Sequence, residues 1–312
     1  MRQAGGERPG QVNRLQANLC LVCVTIFWSA EVLIYACIPA GVSSFATIFV
    51  TSLVGVALML VPFWRRVVDS LREGGLRFVF AMLGLAVLNS IYSMHFIEGM
   101  RMFDPAESAF VSCLSVVVMP LVMMAMRRSV SRQTWLSVAL VAVGVVLALF
   151  PTFRSSQFRG LFLIAVGSVL SSLSVIFLAG IARNHDPVAV AVLRKGFMAV
   201  FAFAGWYAAD PRLFAGIPFS KSLISSWAVY AYLVVAFAQV LNMFAIRRVP
   251  ADDATVIYSL KLVFTLLLGL LVPAGIITQI ELTPPVVVGT VFVVAGSLAK
   301  MIDFSAIRGK TV

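Results

Sequence analysis

Charge is scarce in this chain. Of 312 residues, 12% are Asp, Glu, Lys or Arg, against about 25% in an ordinary soluble domain. Acids are the rarer sign, thirteen against twenty-four basic residues. There are two histidines, His95 and His185, and four cysteines, Cys20, Cys23, Cys37 and Cys113. These shortages exclude several kinds of chemistry. A structural or catalytic metal needs three or four converging ligands. The Cys20–Cys23 CxxC has no second pair and no histidine near it, so all four cysteines read as small apolar packing residues. No GxxxxGK[ST] loop is present, so no ATP site is expected. Neither a metal nor a cofactor is expected, and no segment is both polar and long enough to fold as a soluble domain.

What is abundant is apolar residues, at 61%. They recur in runs of about 20, the length that spans a bilayer. Ten runs can be drawn, at roughly 18–38, 43–63, 77–98, 104–126, 133–151, 158–181, 187–208, 226–247, 251–277 and 283–302. The fold class is therefore an all-α polytopic membrane protein. The net charge of +11 does not point to nucleic acid, because the basic residues fall in alternate loops. Fifteen lie on one side, including Arg2, Arg8, Arg14, Arg65, Arg66 and Arg127; five lie on the other, including Arg101, Arg154 and Arg212; four fall inside runs. The basic side is expected to be cytoplasmic, with both termini inside a cell membrane. Arg2, Arg8 and Arg14 before an apolar run resemble a signal peptide. Glu31 within the run and the lack of a good cleavage site favour a first span instead.

Two stretches look like copies. Pro105-Ala106-Glu107-Ser108-Ala109 and Pro250-Ala251-Asp252-Asp253-Ala254 lie 145 positions apart, and each opens an apolar run. Five runs in each half make the second half enter the membrane from the opposite side, the layout of many secondary transporters. The expected organisation is a cytoplasmic tail, 1–17; two five-helix repeats, 18–151 and 158–303; and a second tail, 304–312. The first dozen residues read as a disordered tail. Asp104-Pro105-Ala106-Glu107 predicts a capped helix start, as does Asp186-Pro187. Asp252 and Asp253 suit the first turn of a helix, where the dipole favours acids, and do not form a DDxxD metal motif. Pro120 predicts a kink in the fourth span. Ser168, Ser171, Ser172 and Ser174, with Gly289, Gly296 and Ser297, suit close helix contact.

Ionisable groups at bilayer depth are costly and mark cavities, partners or pathways. At about 1.5 Å per residue, Glu31 lies about 20 Å beyond the cytoplasmic edge and Lys261 roughly 15 Å, near mid-bilayer. Opposite charges at similar depth suggest either an ion pair or two ends of a zwitterion site. Arg194 and Lys195 lie roughly 12 Å into the seventh span, within reach of a substrate or, by snorkelling, of the interface. Lys300 and Asp303 read as an interface pair. His95 and Glu98 share a face of the third span near its outer end. They suit proton coupling alongside Glu31, or a hydrogen bond to the Arg101–Asp104 loop. Gln239 and Asn242 in the eighth span correspond, by the 145 offset, to Met94 and Ile97 beside that pair. Trp28, Tyr92 and Tyr258 are candidate aromatic lining.

Taken together, ten spans in two inverted halves resemble the drug/metabolite transporter superfamily, specifically its EamA-like members, over roughly 18–303. Trp28-Ser29 is similar to that family's Trp-small element in the first helix. Ser112-Cys113-Leu114-Ser115 through Pro120 resembles its fourth-helix run. Gly144 and Gly296 resemble its half-closing glycines, and Arg194 after Pro187 its arginine early in a repeat's second helix. The resemblance implies alternating access through a cavity lined by the first, third, fourth, sixth, eighth and ninth helices. Glu31, His95, Gln239, Asn242 and Lys261 fall on those helices. Two residues depart from the family pattern: Lys261 where proline or an apolar residue is commoner, and Glu31 where many members are neutral. The expected function is a non-enzymatic secondary transporter, moving a small polar or amphipathic metabolite outward. A carrier of a phosphorylated, nucleotide-linked or lipid-linked sugar is the alternative, and an intramembrane lipid-modifying enzyme a third. The partners expected are a small-molecule substrate and membrane lipids, without nucleic acid, in a monomer or homodimer.

Overall fold

The computed structural model describes residues 9–39, 41–272 and 280–301, with side chains described except at 9–15, 251–252, 255 and 300–301. Helix α1 covers Pro9–Ala36. It begins nine residues before the expected edge of the first span, so residues 9–12 are helical where a disordered tail was expected. Proline suits the first position of a helix, since its fixed φ is already helical and its missing N–H is not needed there. Arg2, Arg8, Asp303, Arg308, Lys310, the Lys300 side chain and the C-terminal tail 304–312 lie outside the described residues.

The second and third expected spans form one helical stretch, α2, Ser44–Met100. At about 1.5 Å per residue its 57 residues would reach some 85 Å if straight, close to three bilayer cores. It is not straight. The backbone leaves helical geometry at Phe63, just after Pro62, and at Gly75 (φ 56, ψ −158). The first break follows from the backbone hydrogen bond that proline removes. The second uses a backbone conformation open essentially to glycine alone. The expected basic loop, with Arg65, Arg66 and Arg72, is thus a helical linker between two bends.

Helices α3 (Pro105–Ser112) and α4 (Leu114–Ala125) divide the fourth run. The interruption is at Cys113; Pro120, where a kink was expected, sits inside α4. At Cys113 the backbone tightens, its N–H reaching the Phe110 carbonyl and its carbonyl accepting from Val116 N–H. Then follow α5 (Arg132–Leu149), α6 (Phe158–Asn184) and α7 (Pro187–Ala209). A stretch from α8 (Lys221–Val229) through a π-helical turn, Tyr230–Ala238, to α9 (Gln239–Ile246) forms one continuous rod. Helices α10 (Ala251–Tyr258) and α11 (Lys261–Leu271) repeat the interrupted pattern of α3 and α4, and α12 covers Pro284–Met301. Among the described residues there is no strand.

The helix starts follow the local chemistry. The Asp186 carboxylate accepts from Val188 and Ala189 N–H at 2.9 and 3.1 Å. Glu107 accepts from the Asp104 backbone N–H at 3.3 Å and from Gln157 at 2.8 Å. Asp252 and Asp253 are the second and third residues of α10.

Among the described residues seven stretches are long and apolar enough to cross a membrane, α2 counted as one, and Val256–Leu271 and Pro284–Ala299 are shorter apolar helices. Large apolar side chains face outward all round, among them Val61, Leu76, Phe80, Phe150 and Phe162. Water would penalise such a surface, whereas lipid does not. The chain is a multi-pass membrane protein. Helices α5 and α12 meet at Gly144 and Gly289, where a Cβ on either would fall 2.5 Å from the other's carbonyl oxygen.

Candidate functional site

The centre of the bundle holds a cavity of about 130 Å³. Its wall is built from α1, α2, α3, α4, α6, α7, α9, α10 and α11, with the π-helical turn before α9. Among its lining residues are Trp28, Glu31, Tyr92 and Arg194, all anticipated from the sequence, and Gln239, Asn242, Tyr258 and Lys261, also anticipated.

Glu31 is the hub. Its carboxylate accepts from Lys261 Nζ at 2.8 Å, from the Tyr230 hydroxyl at 2.8 Å and from the Tyr35 hydroxyl at 3.2 Å. The two tyrosine hydroxyls are 2.7 Å apart and the rings 5.2 Å. Lys261 is the first residue of α11, because the helix is interrupted at Ser259 and Leu260. A cation at a helix N-terminus opposes the dipole, so a carboxylate opposite it removes both that cost and the cost of burial. Ser29, fully buried, stitches α1 to α11: its hydroxyl donates to the Lys261 carbonyl at 3.0 Å, and its own carbonyl accepts from Thr265. The small residue beside Trp28 is thus what lets Glu31 reach Lys261.

A second group lies alongside. Arg194 on α7 donates through Nη2 to Gln239 Oε1, while its buried Nε has no partner among the described residues. The Tyr258 hydroxyl donates to Asn242 Oδ1 at 2.5 Å, and its ring lies 4.9 Å from that of Trp28. Asn89 donates to Ser174 Oγ at 2.8 Å. Ser171 and Ser174 face the cavity, whereas Ser168 and Ser172 are buried between helices.

His95 and Glu98 are not brought to the cavity. His95 Nδ1 donates to the Ile91 carbonyl one turn back at 2.8 Å. Glu98 accepts from Ser44 and from Arg101 at 3.3 Å, and Arg101 in turn donates to the Val42 carbonyl. Glu98 thus ties Ser44, at the start of α2, to Arg101, just past its end. His185 stacks on Phe78, centroids 4.0 Å apart, at the start of α7.

Sequence reasoning missed Tyr35, Tyr230 and Asn89, and it placed Lys195 at the interface in preference to a substrate. Lys195 is 8% exposed and lines the cavity. It does not snorkel, since eight residues of helix separate it from the start of α7 and buried valines and alanines surround it. Tyr35 had a signal: it stands four residues after Glu31, on the same helix face. Tyr230 had none, because an aromatic in an apolar run is indistinguishable from core.

Comparison with known proteins agrees with this picture. Residues 15–150 match the EamA-like transporter family. A Helicobacter pylori (strain ATCC 700392 / 26695) protein described as an uncharacterized transporter is 24% identical over 259 residues, 82% of this chain and 84% of that protein. A solved crystal structure, described simply as that of a protein, superposes with a TM-score of 0.68 at 16% identity, covering 92% of this chain and 96% of the other. That likeness establishes the fold. The first half of the chain thus carries the resemblance to EamA-like transporters that its own residues suggested.

Proposed function

We propose that the chain is a secondary transporter that moves a small polar metabolite across the cell membrane by alternating access, in the outward direction. The observation that carries this reading is the buried cavity with four ionisable side chains, Glu31, Arg194, Lys195 and Lys261, converging from α1, α7 and α11. Polar and charged groups at that depth persist where they serve a pathway.

Ten spans in two inverted halves fit the architecture. Helix α2 counts as two, α3 with α4 as one, α8 through α9 as one, and α10 with α11 as one. The 145-residue offset supports the repeat: it relates Gly144 to Gly289, which touch. An interruption follows an eight-residue helix in each half, at Cys113 and at Ser259, and the Cys113 thiol donates to the Ser259 carbonyl at 3.8 Å. With the basic loops cytoplasmic, Tyr35 and Tyr230 stand on the outer side of the cavity. Tyr35 also lines an outer pocket with Arg101 and Asp104. The two adjacent tyrosines, donating to Glu31, thus form an outer gate, and Glu31 is the coupling group.

Purified protein would be screened by thermal shift against metabolites of each charge class, and stabilising compounds tested for counterflow in proteoliposomes. The expected result is a ligand that stabilises the protein and exchanges across the vesicle wall, with that exchange slowed in Glu31→Gln. A compound set that neither stabilises nor exchanges would overturn the reading.

A further inference from the structure

The charges in the cavity do not balance. Among the described lining residues there is one carboxylate, Glu31, and there are three cations, Arg194, Lys195 and Lys261. Lys261 consumes the carboxylate, at 2.8 Å. Arg194 has only the neutral Gln239 amide as a side-chain partner, and its Nε has none. Lys195, nine-tenths buried, makes no hydrogen bond or close ion pair among the described residues; Glu31 attracts it at longer range but is held by Lys261. Among the described residues no acid outside the lining is paired with Lys195; Glu98 is tied to Arg101 and Ser44, and Glu107 to Gln157.

A buried charge without a partner costs several kcal/mol, and snorkelling, the usual escape, is closed to a residue held at this depth. Two adjacent cations with spare donors inside an enclosed cavity therefore describe a receptor for negative charge. Lys195 supplies a mobile ammonium, and Arg194 a fixed planar donor that its bond to Gln239 holds in place. Around them Tyr92, Asn89 and Ser171 provide neutral donors and acceptors for hydroxyl or carbonyl groups.

We propose that the cavity binds a small organic anion, whose carboxylate or phosphate head sits against Lys195 and Arg194 while Glu31 and Lys261 remain paired. This rests on the transporter reading and names its substrate class: an anion rather than the zwitterion that Glu31 and Lys261 alone suggested. Carboxylate and phosphate share this chemistry, and the test separates them.

The experiment is a thermal-shift titration of detergent-purified protein with inorganic phosphate, glycerol 3-phosphate, lactate and succinate. Glycerol and alanine serve as the neutral and zwitterionic controls, and sodium chloride matches ionic strength throughout. Wild type, Lys195→Met and Lys195→Arg are compared. At least one anion should stabilise the wild type beyond the salt control. The phosphate or the carboxylate compounds should prevail, whichever head the site takes. Lys195→Met should weaken that response roughly tenfold to a hundredfold, the worth of a hydrogen bond to a charged group, and Lys195→Arg should restore most of it. The wild-type titration stands alone if Lys195→Met does not fold. No anion response above chloride overturns the proposal, as does an equal response in Lys195→Met. If alanine or glycerol binds instead and depends on Lys261, the anion proposal falls while the transporter reading stands. If nothing binds, both fall.

Discussion

Replacing Lys261 by methionine removes the ammonium 2.8 Å from Glu31 but keeps a side chain of similar length. The two side chains are 12% and 20% exposed, so the pair is largely cut off from water. Deleting one partner of a buried pair costs about 3–5 kcal/mol. Here two hydroxyls, Tyr230 at 2.8 Å and Tyr35 at 3.2 Å, still donate to the carboxylate. Each such bond to a charged group is worth roughly 1.5–3 kcal/mol. The expected loss is therefore below that range, about 2–3 kcal/mol. Glu31→Gln should cost a similar amount, because it leaves the Lys261 ammonium at a helix N-terminus facing an amide. If the energy resides in the pair, Glu31→Gln/Lys261→Met costs little more than either change alone, a coupling of about 2 kcal/mol. The four proteins would be compared by SDS-induced unfolding in mixed micelles, followed by tryptophan fluorescence. Single losses that simply add, with a coupling under about 0.5 kcal/mol, would refute the reasoning. Glu31 and Lys261 would then be held by their neighbours rather than by each other.

The outer gate makes a second prediction. Tyr230→Phe loses the bond to Glu31, so Cys113, 2% exposed at the cavity wall, should react faster with an impermeant maleimide added outside when Cys20, Cys23 and Cys37 are serine. An unchanged labelling rate would remove the tyrosine pair as a gate. At the α5–α12 contact, Gly144→Ala should destabilise by about 1–3 kcal/mol through overpacking, whereas Gly84→Ala, where a Cβ meets nothing within 4 Å, should cost nothing measurable in the thermal midpoint. Gly75→Ala should cost about 1–3 kcal/mol because φ there is 56°, and equal midpoints for wild type and variant would count against a fixed bend. His95→Gln should leave ligand-induced stabilisation intact, since His95 bonds its own helix backbone away from the cavity. A loss of ligand response would bring the histidine back into the site.

How much was legible in advance divides by the range of the physics involved. Burial in lipid acts on runs of about twenty residues, so helical class and most span positions could be read directly. The exceptions were places where a helix continues past the apolar run, at Pro9 and between Phe63 and Gly75. There polar residues can still be helical, and hydropathy does not report it. Helix caps at Asp186 and Glu107 were legible because they depend on neighbours within three residues. Glu31 and Lys261 announced themselves by being ionisable at bilayer depth.

Their pairing had to await the tertiary structure. It needs α1 and α11, 230 residues apart in sequence, to approach closely enough at Ser29 for two side chains to meet. The same holds for Lys195. Its sequence position suited both the interface and the cavity, and the choice was made by what surrounds α7. The sequence by itself determined which groups are costly to bury, because that depends on residue type and depth. The tertiary structure alone decided which of them are compensated, because compensation is a matter of ångströms between helices far apart in the chain. It left one cation, Lys195, without a hydrogen bond or close ion pair among the described residues, facing a carboxylate that Lys261 already holds.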